Sequence, residues 1–225
     1  MTNLTASILA ARVLVPLLLA LPAAALEVPE AAPTSTHRGA GLSFGVRGAL
    51  GVPLGNIGEG SLRHVFTSAI APQVDLGWFF SPNLYAGGYF QYGPAKTYED
   101  NCLHEERNCR GTLMRVGFDV NYHFSPEATF SPWLGVGAGY EVATDHTVRG
   151  PSGKNVFEGF ELAHAQAGLD LQVTRAIRVG PYALWTAGVY SKRTSTVAGV
   201  ETNREFPEKS FHFWLQPGLR FQLRL

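Results

Sequence analysis

The strongest constraint in this chain is its alternation. In the final run, Phe211, Phe213, Leu215, Pro217, Leu219, Phe221, Leu223 and Leu225 take every second position, and His212, Trp214, Gln216, Gly218, Arg220, Gln222 and Arg224 fall between them. Side chains of an extended strand point alternately to its two faces, so this run builds a sheet with one apolar and one polar side. A helix would scatter the same residues around its circumference. Seven earlier runs repeat the pattern, over residues 42–50, 74–80, 84–92, 116–124, 134–142, 163–173 and 177–189. The spacing predicts an all-β chain of eight antiparallel strands.

The connections between runs alternate in length. Residues 81–83, 125–131 and 174–176 make short turns, whereas residues 51–71, 93–111, 143–159 and 191–208 make much longer loops. With strands running up and down, the long loops gather at one end and the short turns at the other. Two closures fit: a transmembrane barrel with its apolar face outward, or a soluble lipocalin-like barrel with its apolar face inward.

Charge placement favours the first. The four lysines, Lys96, Lys154, Lys192 and Lys209, avoid the polar face of every run. That face carries Arg47, Arg115, Arg178, Arg220 and Arg224 against Asp75, Asp119, Glu141 and Asp170, with His123, His164 and His212 among them. Arginine's planar fork and a near balance of sign suit a packed interior network, where an unpaired charge is costly. We therefore expect Arg47, Asp75, Arg115, Asp119, Glu141, Asp170, Arg178 and Arg220 to line a filled lumen. Trp78, Phe79, Phe80 and Tyr85 near the first turn, with Tyr122, Phe124, Phe130 and Trp133 near the second, are expected to form an interfacial girdle.

Composition agrees with this reading. Only 16 % of residues are charged, 45 % are apolar and the formal net charge is zero. A neutral chain offers no electrostatic footprint for nucleic acid. Residues 1–25 read as a cleaved signal peptide: Arg12, an apolar stretch broken by Pro16, then Ala23-Ala24-Ala25. Residues 26–39 read as a disordered periplasmic leader and residues 40–225 as the barrel.

Chemistry-bearing motifs are few. Cys102 and Cys109 are expected to form a disulfide in the second long loop, worth about 2–3 kcal/mol for so short a closure. Their neighbours His104, Glu105 and Glu106 match no standard metal-ligand spacing, so no metal or other cofactor is expected. No nucleophile elbow, phosphate loop or nucleotide fingerprint occurs, and no serine–histidine pair falls on the apolar face; we expect no enzymatic activity and no catalytic residues.

In its alternation, loop asymmetry and last strand, the chain from residue 40 to 225 resembles the small eight-stranded outer-membrane β-barrel proteins of Gram-negative bacteria, the OmpA/OmpX/OmpW-like group. Gln216, Gly218, Phe221 and Leu223 match the C-terminal signal read by the barrel-assembly machinery, while Leu225 stands where relatives end in an aromatic residue. The resemblance implies an outer-membrane location, with membrane lipid and the assembly machinery as partners. It also implies four extracellular loops with a structural or surface-interaction role, their partner unknown. The alternative it implies is a narrow conduit for small hydrophobic molecules, to which inward-facing Tyr89, Leu184, Tyr190 and Trp214 would contribute.

Overall fold

A computed structural model of the protein describes residues 39–57, 60–97, 110–147, 153–205 and 210–225. In chain order the strands are β1 (Gly41–Ile57), β2 (Gly60–Ser61), β3 (Phe66–Phe79), β4 (Leu84–Thr97), β5 (Arg110–His123), β6 (Phe130–Thr147), β7 (Gly153–Gln172), β8 (Ile177–Val197), β9 (Val200–Glu205) and β10 (Phe211–Arg224). A 3₁₀ turn, Leu62–His64, precedes β3.

Eight of these strands close into a barrel. Each long strand pairs antiparallel with the next in sequence, and β10 pairs with both β1 and β8, which completes the ring. The short β2 and β9 pair with the upper ends of β1 and β8. Closure leaves no sheet edge within the ring, so every strand there has a backbone partner on each side.

The alternation sorts side chains by face as expected. Phe44, Val46, Val74, Leu76, Phe118, Val120, Leu134, Val136, Trp185 and Leu219 all point outward and are exposed, Phe118 to 77 %. Their sequence neighbours Arg47, Asp75, Asp119 and Gln73 point inward and are buried. In water this outer band would be a contiguous apolar patch far larger than soluble proteins tolerate.

Three details differ from the sequence reading. The long connections are mostly strand: β1 runs on to Ile57, β4 to Thr97, β6 to Thr147 and β8 to Val197. Beyond the apolar band, alternation fades while the backbone ladder continues, so periodicity loses sight of the strand. Accordingly Lys96, Lys154 and Lys192 stand on strands rather than in loops. Only some of the aromatics expected in a girdle face outward. Trp78, Phe80, Tyr122, Phe124 and Phe130 face outward, but Phe79, Tyr85 and Trp133 are at most 2 % exposed and fill the lumen. They sit on the inward parity of their strands, which overrides their position beside a turn.

Candidate functional site

The inward side chains fill the lumen in successive layers. At the end of the short turns, Arg220 donates to Asp170 at 2.6 Å, and its guanidinium lies 3.8 Å from the centre of the Trp133 ring. The Trp133 indole N–H donates to Asp170 at 3.1 Å. Trp133 has room because Gly168 faces it: a Cβ there would come within 2.6 Å of the indole. Arg178 stands apart from the network. It is only partly buried and donates to the Pro126 carbonyl and, at 3.2 Å, to Gln172. Arg224 donates to the Gly39 carbonyl at 2.6 Å and covers Phe79.

One layer further in, Arg47 bridges three strands. Its Nε donates to Asp75 at 2.6 Å and its Nη2 to Asp119 at 3.2 Å, while Nη1 bonds the Gln166 side chain. Gln166 in turn donates to Asp119 and Asn121, and Gln73 to Asp75. Arg47, Asp75 and Asp119 are all at most 4 % exposed. A planar five-donor group is the side chain suited to satisfy carboxylates on two different strands at once.

The next layer centres on Arg115. Its Nε and Nη2 lie 2.7 Å from Glu141, and Nε lies 3.6 Å from Glu161. Glu141 also accepts from Tyr190 and from the Trp214 indole at 3.3 Å, with His212 at 3.2 Å. The Tyr190 ring stacks on His212 with centroids 4.0 Å apart. The crevice between the Arg47 and Arg115 layers, lined by Gln73, Gln91 and Leu184 among others, is too tight for water.

Above Arg115 the filling becomes apolar. Ile57, Leu62, Phe66, Leu113, Phe157 and Trp214 form one buried cluster at the end of the long connections. The 3₁₀ turn carries Leu62 down into it, fully buried.

Of the expected lumen residues, the structure brings Arg47, Asp75 and Asp119 into one layer, Arg115 and Glu141 into another, and Asp170 and Arg220 into a third. Sequence reasoning missed Glu161. Counting by twos from Ala163, Ala165 and Ala167 puts it on the outward face. A β-bulge between Glu161 and Ala163, seen against both β6 and β8, adds one residue and turns Glu161 inward beside His164. The signal available was an acid at an apolar-face position, which a lipid-facing strand does not accommodate. Gly137 makes the space opposite: a Cβ there would lie 2.5 Å from the His164 ring.

Cys102 and Cys109 lie outside the described residues, as do the expected signal peptide and almost all of the expected leader. Gln216 points into the lumen, whereas Phe221 and Leu225 point outward.

No protein-family profile and no curated protein matches this sequence. Among solved structures, the chain is similar to the outer membrane protein OprG from Pseudomonas aeruginosa. The identity is 12 %, the match covers 83 % of this chain and 97 % of that one, and the TM-score is 0.50. It is likewise similar to the outer membrane protein AlkL, studied in lipid bilayers. There the identity is 16 %, the coverage 86 % and 95 %, and the TM-score 0.50. The chain thus has the fold of the small eight-stranded outer-membrane β-barrels.

Proposed function

We propose that this protein is a non-enzymatic outer-membrane barrel that acts through the surface it presents rather than by transport through its lumen. The observation that carries the reading is the filled lumen: three arginine-centred layers and an apolar cluster succeed one another along it. An eight-stranded barrel has an interior just wide enough for side chains to fill. The uninterrupted apolar outer band supports a membrane location, because a closed barrel satisfies its backbone in hydrocarbon. The strand extensions at the opposite end from the short turns, β6 to β9, would then stand above the membrane and offer the interaction surface.

Fractionation of the native host together with planar-bilayer recording tests this. The protein is expected in the outer-membrane fraction, migrating anomalously on gels unless heated, and giving no single-channel steps. Recovery in the soluble periplasm would refute the membrane reading, and steady conductance would refute the surface role.

A second reading is favoured by the apolar cluster at the loop end. Tyr190 and Trp214 do line it, with Phe66 and Leu62. Small hydrophobic molecules could be taken up there if Leu62 and its 3₁₀ turn swung aside. Uptake of a hydrophobic dye into vesicles bearing the barrel, without ionic conductance, is the result that would prefer this conduit.

A further inference from the structure

The strand extensions carry a row of basic residues. Lys96 on β4 is the register partner of Arg110 on β5. Arg110 and His146 each adjoin the last rung between β5 and β6, Gly111 to Asp145, and His146 is in turn the partner of Lys154 on β7. Lys96, His146 and Lys154 are exposed on the outer face, whereas Ala95, Thr97 and Asp145 beside them are buried toward the lumen. Four basic residues thus follow one another across four neighbouring strands, a width of about 14 Å at the usual strand spacing. Like charges opposed across strands destabilise a sheet. Among the described residues, the row meets an acid only at Glu201, beyond Thr196.

The rows beneath set its height. One step down stand Pro94, Thr112, Thr144 and Val156, each the partner of the next and none charged. Another step down stand Tyr92, Met114 and Val142, where the apolar band ends on β4 to β6. Four residues of a strand tilted by about 40° raise the basic row roughly 10 Å above that last apolar one. The headgroup layer of a leaflet is about 5–8 Å deep, and lysine stems reach back toward it.

We propose, resting on the membrane reading above, that this row binds anionic phosphate headgroups of the lipid leaflet around the loop end. The two ammonium groups give charge-assisted hydrogen bonds and the His146 ring an N–H, and phosphate oxygens accept them. An anionic phosphate also relieves the repulsion along the row, whereas a zwitterionic headgroup carries its own cation and does so poorly. The width suits a lipid bearing more than one phosphate. The row occupies one sector of the barrel, since at its level β3 carries Ser68 and β8 carries Thr196. Lipid is therefore held at one place on the circumference.

The full-length protein, refolded into nanodiscs of phosphatidylcholine and phosphatidic acid in equal amounts, tests this by native mass spectrometry of the lipid it retains. Phosphatidic acid is expected to be retained over phosphatidylcholine by at least about fivefold. The double variant Lys96→Gln, Lys154→Gln should lose most of that preference. Lys192→Gln should keep it, because Lys192 is already opposed by Glu158. In the unsubstituted protein, Lys96 and Lys154 should acetylate more slowly in these nanodiscs than in pure phosphatidylcholine, with Lys192 unchanged. This second readout decides the matter if the double variant fails to insert. Insertion with no preference, an equal preference in the double variant, or equal acetylation in both lipids overturns the proposal and leaves the membrane reading standing. A preference that emerges only when Glu99, Asp100, Glu105 and Glu106 are all changed to Gln would assign the row to the chain's own acids, which also overturns it. A protein that folds in buffer and does not enter nanodiscs overturns the membrane reading itself.

Discussion

The two ends of the lumen are filled differently: charged layers dominate one and an apolar cluster the other. From the turn end to Arg115, arginine, carboxylate and amide groups interleave with buried rings, Phe79, Tyr85 and Trp133 among them, and Arg47 and Arg220 join strands distant in sequence. Beyond Arg115 the filling is Leu62, Phe66, Leu113 and Phe157, packed as in the core of a soluble domain. The difference teaches where specificity resides. An apolar core accepts substitutions that keep its volume, because dispersion and burial are non-directional. A buried ionic layer accepts few, because removing one member strands the others in a medium that does not solvate them.

The largest effect is therefore expected at Arg47. Arg47→Ala would leave Asp75 and Asp119, both buried, without their shared cation. Breaking such a pair costs about 3–5 kcal/mol, enough to prevent refolding or to collapse the unfolding midpoint. The triple change Arg47→Met, Asp75→Asn, Asp119→Asn removes all three charges together and is expected to recover most of the loss. If the single variant is as stable as the triple one, the layer is not held by charge pairing and the contrast with the apolar end fails.

A smaller loss is expected at the apolar end. Leu62 is fully buried but comes from a short 3₁₀ turn, which can settle into the space its side chain vacates. Leu62→Ala should cost about 2–3 kcal/mol, toward the low end for large-to-small core changes. It should leave the barrel non-conducting, because the arginine layers beneath are untouched. Conductance in bilayer recordings of this variant would show that the apolar cluster, rather than the charged layers, is the seal.

How much of this was legible beforehand depended on whether the two faces of a strand meet different surroundings. Along Val116, Phe118, Val120, Tyr122 and Phe124 one face is apolar and the other is not, so strand, parity and barrel were all readable. Beyond Tyr92 on β4 or Val142 on β6 the contrast fades, and the strand extensions read as loops. Parity itself placed Arg47, Asp119 and Arg220 inside, yet it misplaced Glu161, because a bulge is a single inserted residue with no compositional mark of its own. Trp133 was misread for a different reason. Its proximity to a turn suggested the girdle, while its odd position, shared with Ser131 and Gly135, already put it in the lumen beside Asp170. Which arginine meets which acid could not be read at all, since Arg47 is 72 positions from Asp119 and 119 from Gln166. Register around a closed ring decides those partners.

The smallest expected effect lies outside the lumen, and it sharpens the comparison by supplying its opposite limit. Lys192 on β8 and Glu158 on β7 are opposed across the sheet, 3.9 Å apart, with side chains 47 % and 33 % exposed. They carry the same charges as the arginine layers but stand in water. There the attraction is screened by solvent and salt and opposed by the entropy of holding two long side chains. Lys192→Ala is expected to change stability by less than about 1 kcal/mol, and 1 M salt should erase even that. Measured beside Arg47→Ala in the same micelles, it sets a solvated ion pair against a buried cation that serves two carboxylates. Equal losses at the two sites would mean that the central lumen is as well solvated as the exterior, and that its layers do not close it.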